Sequence, residues 1–153
     1  MEIQKIKLQM VKDVSAIYTA EKIITPVDIV ELVNKYEQYN LSPTEKIILI
    51  GLDTKNQVNI YTEIATGGVN CTHLDTNNIF KPLLVSNCNR FILAHNHPSG
   101  DATPSKADID LTNRIKIASD VMDIKFLDHI VIGGDDYTSI MSIMQKLDNE
   151  EVK

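Results

Sequence analysis

The sequence predicts an α/β (α+β) fold: one domain built on a mixed sheet flanked by helices. Three observations predict it. Strand-length aliphatic runs, such as Ile47-Ile48-Leu49-Ile50, alternate with segments whose apolar residues recur at helical spacing. A chain of 153 residues, 43% hydrophobic and 24% charged, fits one domain and can bury a core without cross-links. No internal repeat or low-complexity stretch breaks the pattern.

Residues 3–11 partly alternate apolar with polar, which suits a strand, and residues 1–24 read as an N-terminal strand and extension. Thr25-Pro26-Val27-Asp28 starts a helix, with Thr25 as N-cap, Pro26 at the first position and Asp28 at the third. Ile29, Leu32, Val33 and Tyr36 fall on one face of it, and Leu41-Ser42-Pro43 breaks it. Residues 46–53 form an aliphatic strand, Thr54-Lys55-Asn56 a turn, residues 57–66 its hairpin partner, and Gly67-Gly68 the end of that hairpin. Residues 76–87 are helical, with Pro82 expected to kink or shorten the helix. Residues 90–95 read as a buried strand and 98–104 as a polar loop. Ser105 caps a helix whose inner face is Leu111, Ile115, Ala118 and Met122. A strand at 124–132, a turn at Gly133-Gly134-Asp135-Asp136, a short strand and a C-terminal helix follow, and 147–153 is expected to fray.

Composition narrows the function. The formal net charge is −6, with Lys and Arg scattered, so charge gives no support to a nucleic-acid-binding role through this domain alone. No run approaches the ~20 apolar residues of a membrane span, and the N-terminus has no signal-peptide apolar core, so the expected location is cytoplasmic. Two cysteines, Cys71 and Cys88, are too few for a disulfide framework and read as reduced structural thiols.

The segment that carries chemistry is His95-Asn96-His97-Pro98-Ser99-Gly100-Asp101-Ala102-Thr103-Pro104-Ser105-Lys106-Ala107-Asp108. Residues i and i+2 of a strand share a face, so His95 and His97 aim two imidazoles at one point. Pro98 cannot donate to a sheet ladder, so the strand ends there. Asp108, in the first turn of the next helix, can supply a third ligand. Two imidazoles and a carboxylate leave a fourth tetrahedral position open, as catalytic zinc sites do. Spacing alone leaves a second reading open. The histidines suit core or surface positions, and Ser105-Lys106-Ala107-Asp108 also fits a capping box.

His-x-His-Pro followed by Ser and Asp at these separations resembles the JAMM motif. The stretch His-Asn-His-Pro-Ser-Gly-Asp is similar to the RadC-like branch of the JAB/MPN (JAMM) domain family. Leu127-Asp128-His129-Ile130-Val131-Ile132-Gly133 and Leu52-Asp53-Thr54-Lys55-Asn56 resemble the same branch, which places the resemblance over about Thr25 to Ser139, within an expected domain of 25–146. It implies a single MPN/JAB-like domain of cytidine-deaminase-like architecture. It implies one zinc per chain on His95, His97 and Asp108, with iron or nickel as the lesser fits to the same donors. It also implies a glutamate that takes a proton from the metal-bound water and returns it to the leaving amine. Glu45, just before the 46–53 strand, stands in that place, with Glu63 on the hairpin partner as competitor. Ser105 is implied as donor to the oxyanion, Asp128 and His129 as structural, and His73 as a loop residue.

Two departures stand out. Relatives carry His-Pro-Arg-Glu where this chain has Asp75-Thr76-Asn77-Asn78, which puts any contact made by that Arg in doubt. The helix-hairpin-helix region that precedes the domain in longer relatives is not found in this sequence. The leading expectation is a zinc metallopeptidase or isopeptidase whose metal-bound water attacks an amide bond in a peptide or protein substrate. The alternatives are a non-catalytic metal-binding scaffold and a RadC-type DNA repair or DNA-maintenance factor. Nothing in the residues selects a ubiquitin-like partner, a particular substrate or an oligomeric state.

Overall fold

The computed structural model describes residues 22–37, 39, 42–67 and 74–151. The expected strand at 3–11, together with Leu41, Gly68, Cys71 and His73, lies outside the described residues. The chain order is α1 (Pro26–Glu37), β1 (Lys46–Leu52), β2 (Val58–Thr66), α2 (Asn77–Val85), β3 (Arg90–Asn96), α3 (Lys106–Met122), β4 (Lys125–Gly133), β5 (Asp136–Ser139) and α4 (Ile140–Glu151). The strands form one mixed sheet in the order β2-β1-β3-β4-β5. Only β3 against β4 is parallel, across the α3 crossover, and the other pairs are antiparallel.

The central position of β3 explains its sequence. Arg90-Phe91-Ile92-Leu93-Ala94-His95-Asn96 is buried from Phe91 onward because helices cover both faces of the sheet. One face packs Ile47, Leu49, Phe91, Leu93 and Phe126 against Ile79 and Leu83 of α2 and Leu111 and Ile115 of α3. The other packs Ile48, Ile50, Ile92, Ala94, Ile130 and Ile132 against Ile29, Leu32 and Val33 of α1. Each such fully buried aliphatic side chain contributes about 1.5–3 kcal/mol.

The helix starts follow their side chains. The Asp28 carboxylate accepts from the backbone nitrogens of Ile24 and Thr25 at 2.8 and 2.7 Å, which ties down the start of α1. The Asp75 carboxylate accepts from Asn77 N at 2.9 Å, so Asp75-Thr76-Asn77-Asn78 builds the turn ahead of α2. Pro82 sits inside the nine-residue α2. On α3, Leu111 and Ile115 face the core and Ala118 packs against it, as expected. Met122 does not: it is 40% exposed at the last turn, and Thr112 and Ser119 take buried positions in its stead. Ser119 tolerates burial because its hydroxyl donates to the Lys116 carbonyl at 2.8 Å. α4 continues to Glu151, into the segment expected to fray.

Candidate metal centre

The candidate site lies where β3 ends, between the sheet and the first turn of α3. His95 is the sixth residue of β3 and faces α3, since it pairs with Ile47 and shares a face with Leu93 and Phe91. His97 follows the strand, its nitrogen held by the Ile132 carbonyl at 2.8 Å. The loop then turns back over β4. Gly133 makes that possible, because a Cβ there would come within 2.3 Å of Ala102 N and 2.5 Å of Asp101 C.

Asp108 arrives through the helix cap. Its nitrogen donates to the Ser105 hydroxyl at 3.2 Å, while its Oδ2 accepts from Ser105 N at 2.7 Å and from Ser105 Oγ at 2.6 Å. The two readings of Asp108 are therefore compatible: the cap aims the carboxylate, and the carboxylate faces the histidines. Oδ1 lies 3.5 Å from His95 Nε2 and Oδ2 lies 3.5 Å from His97 Nε2. One donor atom from each of the three residues falls within 4.8 Å of the others.

These distances test whether a metal fits. Tetrahedral ligands ~2.0–2.2 Å from zinc stand ~3.3–3.6 Å apart. The separations of 3.5 Å match that, and they are longer than a good hydrogen bond. His95 is 1% exposed, and its Nε2 is buried without a hydrogen-bond partner. Buried polar atoms are nearly always satisfied, so an orphaned nitrogen facing a carboxylate suits a cation held between them. The rings are also arranged to present lone pairs. His97 Nδ1 sits 2.7 Å from the Asp101 carbonyl, which can only accept, so Nδ1 carries a proton and the neutral ring presents its lone pair at Nε2. Burial holds His95 below the ordinary imidazole range, with His97 adding to the effect and Asp108 opposing it, so its ring is neutral. The residues present can hold a metal ion.

The two candidate glutamates, Glu45 and Glu63, flank opposite ends of the β1–β2 neighbourhood of Lys46. Asn96 points away from the metal side and binds the segment ahead of β1. Its Oδ1 accepts from Lys46 N at 2.8 Å and its Nδ2 donates to the Thr44 carbonyl at 3.0 Å. β1 and β3 are paired with Ile47 opposite His95. The last pair of that register is Ile47 with His95; Glu45 and His97 each lie two residues beyond it, and strand alternation carried that far would put the half-buried Glu45 on the face of Ile47 and His95. Glu63 is paired with Ile48, whose side chain lies on the other face, and its carboxylate meets Lys46 Nζ at 3.1 Å.

Asp128 has the structural role expected of it. It accepts from its neighbour His129 N at 2.7 Å, from Ser139 Oγ at 2.7 Å and from Met141 N at 3.3 Å, fastening β5 and the start of α4 to β4. His129 is different. It is fully buried beside the candidate site, with Nε2 3.0 Å from His95 Nδ1 and Nδ1 2.8 Å from Thr112 Oγ1. The sequence predicts a structural place for His129 and no role for Thr112. Strand pairing supplies what the residues alone do not: His129 lies two positions before Val131, which pairs with His95, and hence on the same face.

A family model described as a RadC-like JAB domain matches residues 23–146. Over 96 residues the chain is 45% identical to a UPF0758 protein of Carboxydothermus hydrogenoformans, covering 63% of this chain and 42% of that protein. It is 39% identical over 122 residues to a UPF0758 protein of Clostridium perfringens, covering 80% of this chain and 53% of that one. A UPF0758 protein of Clostridium botulinum is 40% identical over 119 residues, 78% of this chain and 51% of its own length. The chain spans about half the length of these curated relatives.

Proposed function

Because the chain belongs to the RadC-like JAB domain family, we propose that it is a zinc metallohydrolase of the metallopeptidase or isopeptidase type, with His95, His97 and Asp108 as the metal ligands and a peptide or protein as substrate. The single observation that carries the reading is the buried, unpartnered His95 Nε2 held 3.5 Å from Asp108 Oδ1. A zinc ion bound there supplies Lewis acidity for an amide carbonyl and brings the pKa of a water ligand down to about 7.

The chain's own residues would do the rest. His95 and His97 bring neutral nitrogens and Asp108 brings one negative charge, so a divalent ion keeps a net positive charge to use. Glu45, on the face of His95 by strand alternation, accepts a proton at its carboxylate and returns it to the departing amine. Ser105 has one hydroxyl proton, and it is directed at Asp108 Oδ2. Ser105 therefore aims a ligand in this arrangement, and donation to an oxyanion requires that proton to turn away from Asp108.

The test is hydrolysis itself. Zinc-loaded protein is incubated with defined peptide and isopeptide libraries, and newly formed amines are read by mass spectrometry. Cleavage that disappears in a His95→Ala, His97→Ala protein supports the reading. Zinc uptake without cleavage of any library would favour the scaffold role instead.

A further inference from the structure

We propose that Thr112 and His129 are positioning residues that fix the tautomer of His95, so that its Nε2 is kept as a bare lone pair directed at the metal position. The proposal rests on the metal-site reading above, and it follows from counting protons along one chain of contacts.

The count starts on α3. Thr112 Oγ1 lies 2.7 Å from the Asp108 carbonyl oxygen and 2.8 Å from His129 Nδ1. A carbonyl only accepts, so the single hydroxyl proton of Thr112 goes to Asp108 O. Thr112 Oγ1 then has only lone pairs for His129, and His129 Nδ1 must be the donor. His129 is fully buried, and its ring nitrogens meet Thr112 and His95 and no carboxylate among the described residues, so a second ring proton would be an unpaired buried charge; with Nδ1 protonated its Nε2 is an acceptor. That Nε2 stands 3.0 Å from His95 Nδ1, which must therefore carry the proton of its own ring. His95 Nε2 is left without one.

The opposite assignment fails at two places. A proton on His95 Nε2 would leave two lone pairs facing each other across 3.0 Å at the His95–His129 contact. It would also point an N–H at the space between the three donors, where a cation would have to sit. The endpoint agrees with the count, since His95 Nε2 is buried with no hydrogen-bond partner. The relay begins one helical turn from a ligand. Asp108 offers its side chain to the metal position and its backbone carbonyl to Thr112, so α3 delivers one ligand and sets the proton on another. His97 reaches the same state by a shorter route, through the Asp101 carbonyl.

The test reads protons directly in the metal-free, 15N-labelled full chain, by two-bond 1H–15N correlation of the imidazoles. The chain has 4 histidines, and His95→Gln assigns the signal by its loss. The expected result is a protonated Nδ1 and a bare Nε2 on His95, unchanged in Thr112→Ser. Thr112→Val removes the acceptor for His129 Nδ1, frees His129 to carry its proton on Nε2, and should move the proton of His95 to Nε2. Zinc affinity, measured by competition with a chelating dye, should then fall about 10–100-fold, while Thr112→Ser stays within a few-fold. A proton on His95 Nε2 in the unaltered protein would falsify the relay, and that spectrum needs no variant to fold. So would a Thr112→Val protein with unchanged spectrum and zinc affinity. Unaltered protein that has the expected tautomer and takes up no zinc sinks the metal reading and leaves the relay standing.

Discussion

Ser105 and Asp108 share a single carboxylate oxygen: Asp108 Oδ2 accepts both the backbone nitrogen of Ser105, at 2.7 Å, and its hydroxyl, at 2.6 Å. Oδ1 is left to face His95 Nε2. Oδ2 also stands 3.5 Å from His97 Nε2, so the cap uses one oxygen while each oxygen faces one histidine. Asp108→Asn keeps an acceptor for Ser105 N and removes the charge. Thermal unfolding of the metal-free variant should show a loss within about 1 kcal/mol, the scale of a helix cap. Zinc affinity should fall by more than about 100-fold. Equal zinc affinity in the two proteins would reduce Asp108 to a cap.

Metal content follows from the same donor set. Protein purified without chelator should carry close to one zinc per chain by elemental analysis, and His95→Ala, His97→Ala should carry almost none. Saturating zinc should also raise the melting temperature of the unaltered protein only. Binding at a hundred times the dissociation constant is worth about 2.7 kcal/mol to the folded state. Equal zinc content in the double variant would refute the assignment.

Much of this site was legible in the sequence because its pieces are local. His95 and His97 lie two residues apart on a strand, and Ser105 and Asp108 lie three apart at a helix start. Their faces follow from strand and helix periodicity alone. The strands and helices were legible for the same reason, since aliphatic runs such as Ile47–Ile50 fill a sheet covered on both faces. What periodicity could not supply was strand order. The parallel pairing of β3 with β4 sets His129 beside His95 across 34 residues, and Thr112 meets His129 across 17. Asn96 holding Lys46 N spans 50 residues. The choice between Glu45 and Glu63 turned on the same knowledge, because the pairing of β1 separates them onto opposite faces. Met122 was misplaced because a helical face computed by spacing runs past the point where the sheet stops covering α3.

Gly133 is predicted to control the loop that carries His97. A Cβ at this position would stand 2.3 Å from Ala102 N, and backbone cannot rotate out of its way. Gly133→Ala should cost about 1–3 kcal/mol in a denaturant titration, as overpacking does. It should weaken zinc binding as well, because displacing Asp101 removes the carbonyl that orients His97 Nδ1. A variant with unchanged stability and zinc affinity would show that the loop does not depend on this contact.

Asp128 supplies a pH dependence away from the metal ligands. Burial raises its carboxyl above the ordinary value of 3.8, against hydrogen bonds from Ser139, His129 N and Met141 N that pull it down. A carboxyl that binds its proton more tightly when folded adds stability below its unfolded pKa, and that contribution is lost as pH rises through the folded pKa. Asp128→Asn has no such titration. The unfolding free energy of the unaltered protein minus that of the variant should fall with rising pH above 3.8, by at most about 1.4 kcal/mol per unit, and then level off. Denaturant titrations at successive pH values measure it, and a difference that rises across the window contradicts the burial argument.

The last prediction concerns proton transfer, and it separates Glu45 from Glu63. His95, His97 and Asp108 offer three candidate ligand atoms, so in the proposed site the expected glutamate has no ligand role left to fill. Its task is to accept a proton from a water beside the metal, which requires an oxygen within ~2.6–3.2 Å of that water. Glu45 is on the correct face by strand alternation, and Asn96 fixes its backbone by holding Lys46 N and the Thr44 carbonyl. Glu63 is committed to Lys46 on the other face. Glu45→Gln preserves size and hydrogen bonding but cannot take a proton. It should keep full zinc content and stability while lowering hydrolysis by about 10²–10⁴-fold, the usual share of general acid–base catalysis. Glu63→Gln should leave turnover within a few-fold. Asn96→Ala adds an independent check: it leaves the Lys46 N–H and the Thr44 carbonyl without their partner, and should reduce turnover by loosening Glu45 while zinc stays bound. If Glu63→Gln abolishes a cleavage that Glu45→Gln leaves intact, the register argument has selected the wrong strand. If neither change affects a cleavage that requires His95 and His97, neither carboxylate is the proton acceptor.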